Sequence, residues 1–240
     1  MRTRSYSLIV ALLAAVVLPG AGAAHAVAAP VVVARYDFDG RSNAMLDDSG
    51  NGHTMSLVAR NGGSIQPVVH GSGLGLEFPS KCHGKRCPRA VLQTPSDTDL
   101  NPGVRPLSYG ATVRLARNQT THGENILQKG YSKTSSQYKL QVDGLAGRPS
   151  CVLVGDDQVG VRRLVRSTVS IADGKWHTVE CRRSGSAFAI LVDGVVRGMR
   201  SVPVDLSISN ARPLSIGGKG AYRDNDQFRG ALDDVWVRIG

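Results

Sequence analysis

The chain has 240 residues and a formal net charge of +10, with 41% apolar and only 5% aromatic residues. That length suits one or two globular units, and all-β domains of about 200–250 residues are routinely one unit. The basic charge has no recognition helix, RNP-like strand or stripe of stacking aromatics beside it, which argues against nucleic acid and for anionic glycans or phosphate-rich envelope polymers.

Arg2 and Arg4 precede an apolar run over 8–18, Pro19-Gly20 ends it, and Ala24-His25-Ala26 offers a small-x-small cleavage pattern. The pattern predicts a secretory signal peptide over 1–26, with cleavage between 26 and 29, and a single domain over 30–240. The run is too short to span a bilayer and no second one follows. A secreted, extracellular protein without a membrane span after cleavage is expected.

Export permits disulfides, and four cysteines allow three pairings. Cys82 and Cys87 flank a short loop and suit a local clasp. Cys151 and Cys181 sit in strand-like runs and suit a cross-strand bond. A zinc site from Cys82, His83 and Cys87 has no standard ligand spacing.

Strands are expected over 31–38, 53–58, 74–78 and 90–93, with a dense turn at Asp47-Asp48-Ser49-Gly50-Asn51-Gly52. The proline-bearing stretch 95–106 reads as a connection. Alternation then predicts strands over 111–117, 125–129, 137–142, 151–154 and 161–166, the last carrying Arg162, Arg163 and Arg166. The clearest signal is ADGKWHTVECRRSGSAFAILVDGV over 172–195, two alternating runs joined at Ser184-Gly185-Ser186 and closed by Asp193-Gly194. Its alternation puts Trp176 and Glu180 opposite His177 and Cys181, so these four do not converge as a triad. Strands over 195–199, 208–216 and 228–239 complete the chain. No stretch carries a helical period, and many short strands between turns mean an all-β antiparallel sandwich or jelly roll.

The motifs YDFDG, LDDSGNGH, ILQKG, YKLQVDG, DGKWHTVECRRSG, ILVDGV, LSIGGKG and FRGALDDVWV occur in the order found in laminin G-like domains. On them the chain resembles that family, which belongs to the concanavalin A-like lectin/glucanase superfamily. The resemblance implies a two-sheet jelly-roll sandwich, one sheet concave, with the first and last strands as neighbours. It also implies that Trp176 is a packed core residue and that Asp193-Gly194 is a structural turn. In many relatives a calcium lies where the first and last strands meet. The positions that resemble its ligands are Asp37 or Asp39 and Asp233 or Asp234, with Asp47, Asp48 and Asn51 as further oxygen donors.

Glucan-cleaving relatives need two carboxyls about 5 Å apart at alternate positions of one strand. The three glutamates, Glu77, Glu124 and Glu180, have no acid at that spacing. Asp224 and Asp226 alternate, but in a glycine-rich loop context. A lyase would need Tyr131, Tyr138, His122 and Lys129 to converge. The function expected is therefore non-catalytic, lectin-like binding of an extracellular or cell-envelope polysaccharide that carries anionic groups. Arg114, Gln128, Tyr131, Tyr138, Arg148 and Tyr222 are the candidate contacts on or around the concave face. The alternatives are a protein-binding adhesion module that recognises an extracellular protein, and a divergent glycoside hydrolase or polysaccharide lyase.

Overall fold

Alternating apolar residues demand two sheets to bury them, and the computed structural model of residues 30–40 and 45–240 supplies two. The expected signal peptide lies outside these residues. The strands, in chain order, are β1 (Val31–Tyr36), β2 (Ser56–Arg60), β3 (Gln66–His70), β4 (Gly73–Glu77), β5 (Arg89–Thr94), β6 (Leu107–Arg114), β7 (Glu124–Gly130), β8 (Gln137–Asp143), β9 (Arg148–Val154), β10 (Arg163–Arg166), β11 (Trp176–Ser184), β12 (Ala187–Val192), β13 (Val195–Ser201), β14 (Leu214–Ile216) and β15 (Ala231–Ile239). One sheet has eight strands in the order β13-β12-β11-β6-β15-β4-β3, with β1 also on β15. The other has seven, in the order β10-β9-β8-β7-β14-β5-β2. Every pairing between these strands is antiparallel. This is the expected two-sheet sandwich, and β1 lies beside β15 as expected.

The core between the sheets takes Tyr109, Ala111 and Val113 from β6, Val179 from β11, Phe188 and Ile190 from β12, and Val235 and Val237 from β15. Facing them are Leu127 from β7, Tyr138 and Leu140 from β8, Leu153 from β9, and Leu214 and Ile216 from β14. Each strand turns every second residue inward. Cys151 on β9 and Cys181 on β11 are both fully buried and bonded to each other, so the disulfide joins the two sheets rather than neighbouring strands of one sheet. Cys82 and Cys87 form the local clasp. The Asp193-Gly194 turn has φ of 52° and 75°, the paired left-handed geometry of a tight two-residue hairpin.

β3 was not expected as a strand. Pro67 within it lacks an N–H, which sequence patterning reads as a breaker, but β3 is an edge strand and edges tolerate proline. β6 begins at Leu107 and ends at Arg114, earlier at both ends than expected. At β15 the register shifts between Asp233 and Trp236, and Asp234 has φ of 42°. This bulge falls where the outer partner of β15 changes from β4 to β1.

Candidate functional site

The two sheets present very different outer faces. On the eight-stranded sheet, glycines in two strands make room for tryptophans. A Cβ on Gly110 of β6 would stand 2.4 Å from the Trp236 ring, and one on Gly75 of β4 would stand 3.1 Å from that of Trp176. Trp176 is stacked by His70, with ring centroids 4.2 Å apart, and by the Arg114 guanidinium at 5.1 Å. Arg238 covers Trp236 at 5.3 Å, leaving its buried Nε1 without a protein acceptor. The charges answer each other: Arg35 with Asp234 at 2.8 Å, His70 with Asp233, Arg182 with Glu180 at 2.9 Å, and Arg114 with Glu77 at 3.9 Å.

The outer face of the seven-stranded sheet is lined with amides and hydroxyls. Gln93 (β5), Ser215 (β14), Gln128 (β7), Lys139 (β8) and Val152 (β9) stand side by side in register across five strands. Asn125, Gln141 and Ser150 make a second line beside them. Outward polar residues are ordinarily wet, yet Gln128 is 1% exposed, Gln141 5%, and Asn125 and Ser150 0%. The face is therefore walled. The loop over 217–230 supplies one wall. Gln93 Nε2 donates to Ser215 Oγ at 2.8 Å and to the Lys219 carbonyl at 3.4 Å, and Lys219 pairs with Asp226. The Tyr131 hydroxyl donates to the same Lys219 carbonyl at 3.0 Å, under the Arg212 guanidinium.

Burial within this face pulls the Lys139 ammonium down to about 8, against the opposing pull of Asp143 and Asp226. It pushes the Tyr222 hydroxyl up to about 12, with Tyr131 and Asp226 as neighbours that raise it further. Three buried amide carbonyls, Asn125 Oδ1, Gln137 Oε1 and Asn225 Oδ1, have no donor from the protein. Buried acceptors without donors are costly, which marks this face as one that is not self-satisfied.

Of the expected contacts, Gln128, Tyr131 and Tyr222 gather on this face or its rim. Arg148 lies exposed at its far end, opposite Asp143. Three expectations need correction. Tyr138 points into the core, is 0% exposed, and donates to the Leu100 carbonyl at 3.2 Å. Arg114 lies on the other sheet, against Trp176. Trp176, expected in the core, instead packs on an outer face between His70 and Arg114. Lys139, Gln141 and Asn125 were missed; Lys139 and Gln141 share the parity opposite to Leu140 and Val142, which is the signal that could have found them.

The other combinations do not assemble. Lys129 is buried on the core side and donates to the Asn210 carbonyl at 2.7 Å, while His122 is exposed, so Tyr131, Tyr138, His122 and Lys129 do not converge. Arg163 is buried and Arg162 and Arg166 are exposed, so that basic strand divides between two faces. Glu77 and Glu180 lie on the eight-stranded sheet. Glu124 lies on β7, pushed up to about 7 by burial, and braces the 217–230 loop by accepting from the Thr121 and Arg229 backbone N–H groups at 2.7 and 3.2 Å.

The carboxylates expected to hold calcium are taken by protein donors. Asp37 accepts from the Asp39 N–H at 3.1 Å, Asp39 from Leu74 at 2.6 Å, Asp233 is bonded to His70, and Asp234 to Arg35. Among the described residues, the three-ligand grouping within 4.8 Å is His53 with Asp97 and Asp99, not these four. Among the described residues these four carboxylates are not gathered into one group of ligand atoms.

Comparisons with known proteins agree with the architecture. Domain 4 of an extracellular GH43 arabinanase from Geobacillus stearothermophilus, solved with arabinotriose, superposes with a TM-score of 0.65 at 17% identity, covering 88% of this chain and 93% of that one. The binding domain of Paraclostridial Mosquitocidal Protein 1 gives 0.64 at 13% identity, covering 86% and 48%. A structure concerning botulinum neurotoxin type C, whose cell entry is described as dependent on two ganglioside molecules, gives 0.62 at 12%, covering 87% and 48%. The chain spans about half the length of these toxin chains. A Kunitz-type trypsin inhibitor alpha chain from Neltuma juliflora is 33% identical over 99 residues, 35% of this chain and 72% of that one. That match covers too little of this chain to describe the two-sheet domain. Residues 90–238, from β5 to the end of β15, match the concanavalin A-like lectin/glucanases superfamily, and the chain belongs to that family.

Proposed function

We propose that the protein is a secreted, non-catalytic carbohydrate-binding domain whose sugar site is the outer face of the seven-stranded sheet. One observation carries the reading: a line of amides, hydroxyls and a half-buried lysine, walled by a loop, with unpartnered amide carbonyls and tyrosines at its rim. Sugars need planar amides and charged groups for their hydroxyls and an aromatic edge for their apolar faces. The superposition on an arabinanase domain solved with arabinotriose supports a binding role for this fold. The two disulfides suit an oxidising, extracellular setting. Calcium makes no contact with the sugar in this reading, so chelation is expected to leave binding unchanged.

The test is a glycan array that includes arabino-oligosaccharides, run on the mature chain with and without chelator. Binding that survives Tyr138→Phe but is lost in Gln128→Leu/Lys139→Met supports the assignment. Silence across the array removes it. A protein-binding role is the second reading, favoured by the partial match to the inhibitor chain. Stoichiometric inhibition in a trypsin titration would put it first.

A further inference from the structure

Tyr222 has a second neighbourhood. It also lines a cleft of about 320 Å³ together with Arg60, Asn61, Lys85, Arg86, Arg89 and Arg223. Three distant parts of the chain build it. Arg60 and Asn61 come from the end of β2 and its turn. Lys85 and Arg86 come from the loop clasped by Cys82–Cys87, and Arg89 opens β5. Tyr222 and Arg223 come from the loop that walls the amide-lined face.

The lining holds five cations and no acid. Among the described residues, the carboxylate within 4.0 Å of any of them is Asp224, 3.8 Å from Arg223 and itself well exposed. Arg60, Lys85, Arg86 and Arg89 face none. Arg89 Nη1 is buried without a protein acceptor. Asn61, in the left-handed region with φ of 55°, donates through Nδ2 to the Cys87 carbonyl at 3.1 Å, which ties the turn after β2 to the clasped loop. Like charges converging in one cleft repel, so a fold that holds them together with a disulfide and a side-chain tie keeps a site ready for an anion. Guanidinium groups fit planar carboxylates and sulfates through paired hydrogen bonds.

We propose that this cleft receives the anionic substituent, carboxylate or sulfate, of an acidic polysaccharide whose sugar rings lie on the amide-lined face, with Tyr222 at the junction. The inference rests on the carbohydrate reading above. It makes the protein a receptor for acidic rather than neutral glycans, and the clasped loop becomes part of the site.

The test uses the mature chain against three probes: polygalacturonate, dextran sulfate and neutral dextran, by titration at low and raised salt. Wild type is expected to bind at least one acidic probe and to bind dextran far more weakly. Which acidic probe binds tells carboxylate from sulfate. Arg60→Glu/Arg86→Glu, two substitutions that leave the cores untouched, is expected to lower that affinity at least roughly tenfold. Unchanged affinity in this variant overturns the cleft. So does duplex DNA binding as tightly as the acidic glycan, which would mark a general polyanion surface. Neutral glycan binding lost only in Gln128→Leu/Lys139→Met would overturn the cleft and leave the carbohydrate reading standing. Acidic glycan binding lost only in Arg60→Glu/Arg86→Glu would uphold the cleft and overturn the amide-lined face.

Discussion

The two outer faces of this sandwich come from the same strand periodicity and end in opposite chemistry. On the eight-stranded sheet the tryptophans pack over glycines, and the carboxylates meet arginines or a histidine. On the seven-stranded sheet the outward residues are amides and hydroxyls, buried by the loop and by one another, with carbonyls left unpaired. A face whose charges are mostly paired has less left for a ligand, although Trp236 Nε1 there lacks a protein acceptor. A face that desolvates polar groups without satisfying them stores a demand for donors. The contrast, rather than the fold, supports the proposed site, since one fold hosts many functions.

What the faces share is tested first. The Cys151–Cys181 bond closes a separation of 30 residues between the sheets. Cys151→Ala/Cys181→Ala is expected to cost roughly 3–4 kcal/mol in urea unfolding, without favouring either face. A loss under about 1 kcal/mol would mean that packing alone joins the sheets.

The next largest effect separates the faces. Gln128→Leu/Lys139→Met is expected to weaken glycan binding about a hundredfold, by removing the charged hydrogen bond from Lys139 and the buried Gln128 amide, which accepts from Asn125 Nδ2 at 2.7 Å and braces the line beside it. Because Lys139 titrates at about 8, wild-type binding should fall as pH rises through that value, and the pH dependence should vanish in Lys139→Met. A pH profile unchanged by that substitution would place the lysine outside the site.

Glu124 supplies a test of the wall. Its pKa is raised from 4.5 to about 7, chiefly by burial. The sign follows from the raised value: the contribution is fully present below about 4.5 and is lost as pH rises through about 7. Stability should fall by about 2 kcal/mol between pH 5 and pH 8 on this account. Glu124→Gln should flatten that slope in urea midpoints, and an equal slope in the variant would contradict the assignment. The smallest effect is expected on the paired face. Arg35→Ala removes a half-exposed ion pair, so it should cost under about 1 kcal/mol and leave glycan binding unchanged.

Much of this was legible in the sequence. The hairpin over 172–195 declared its strands and its turn by alternation, which also set Cys181 opposite Trp176 but not which of the two faces inward. So did the parity of β8: Tyr138, Leu140 and Val142 share a face, and reading that pattern through would have put Tyr138 in the core and Lys139 outside. Arg114 was misplaced because alternation orders residues within a strand and does not say which sheet a strand joins. Pro67 hid β3 because a missing N–H matters inside a sheet and not at its edge. The basic cleft was illegible for a different reason. Its residues come from 60–61, 85–89 and 222–223, and only tertiary folding brings those stretches together.

The most direct test compares one variant from each face on the strongest glycan found for the wild type, by calorimetric titration at pH 7. The account predicts that Gln128→Leu/Lys139→Met loses about two orders of magnitude in affinity, while Trp236→Phe, on the paired face, binds as the wild type does. Loss of binding in Trp236→Phe with full affinity retained in Gln128→Leu/Lys139→Met would contradict it and move the site to the eight-stranded sheet.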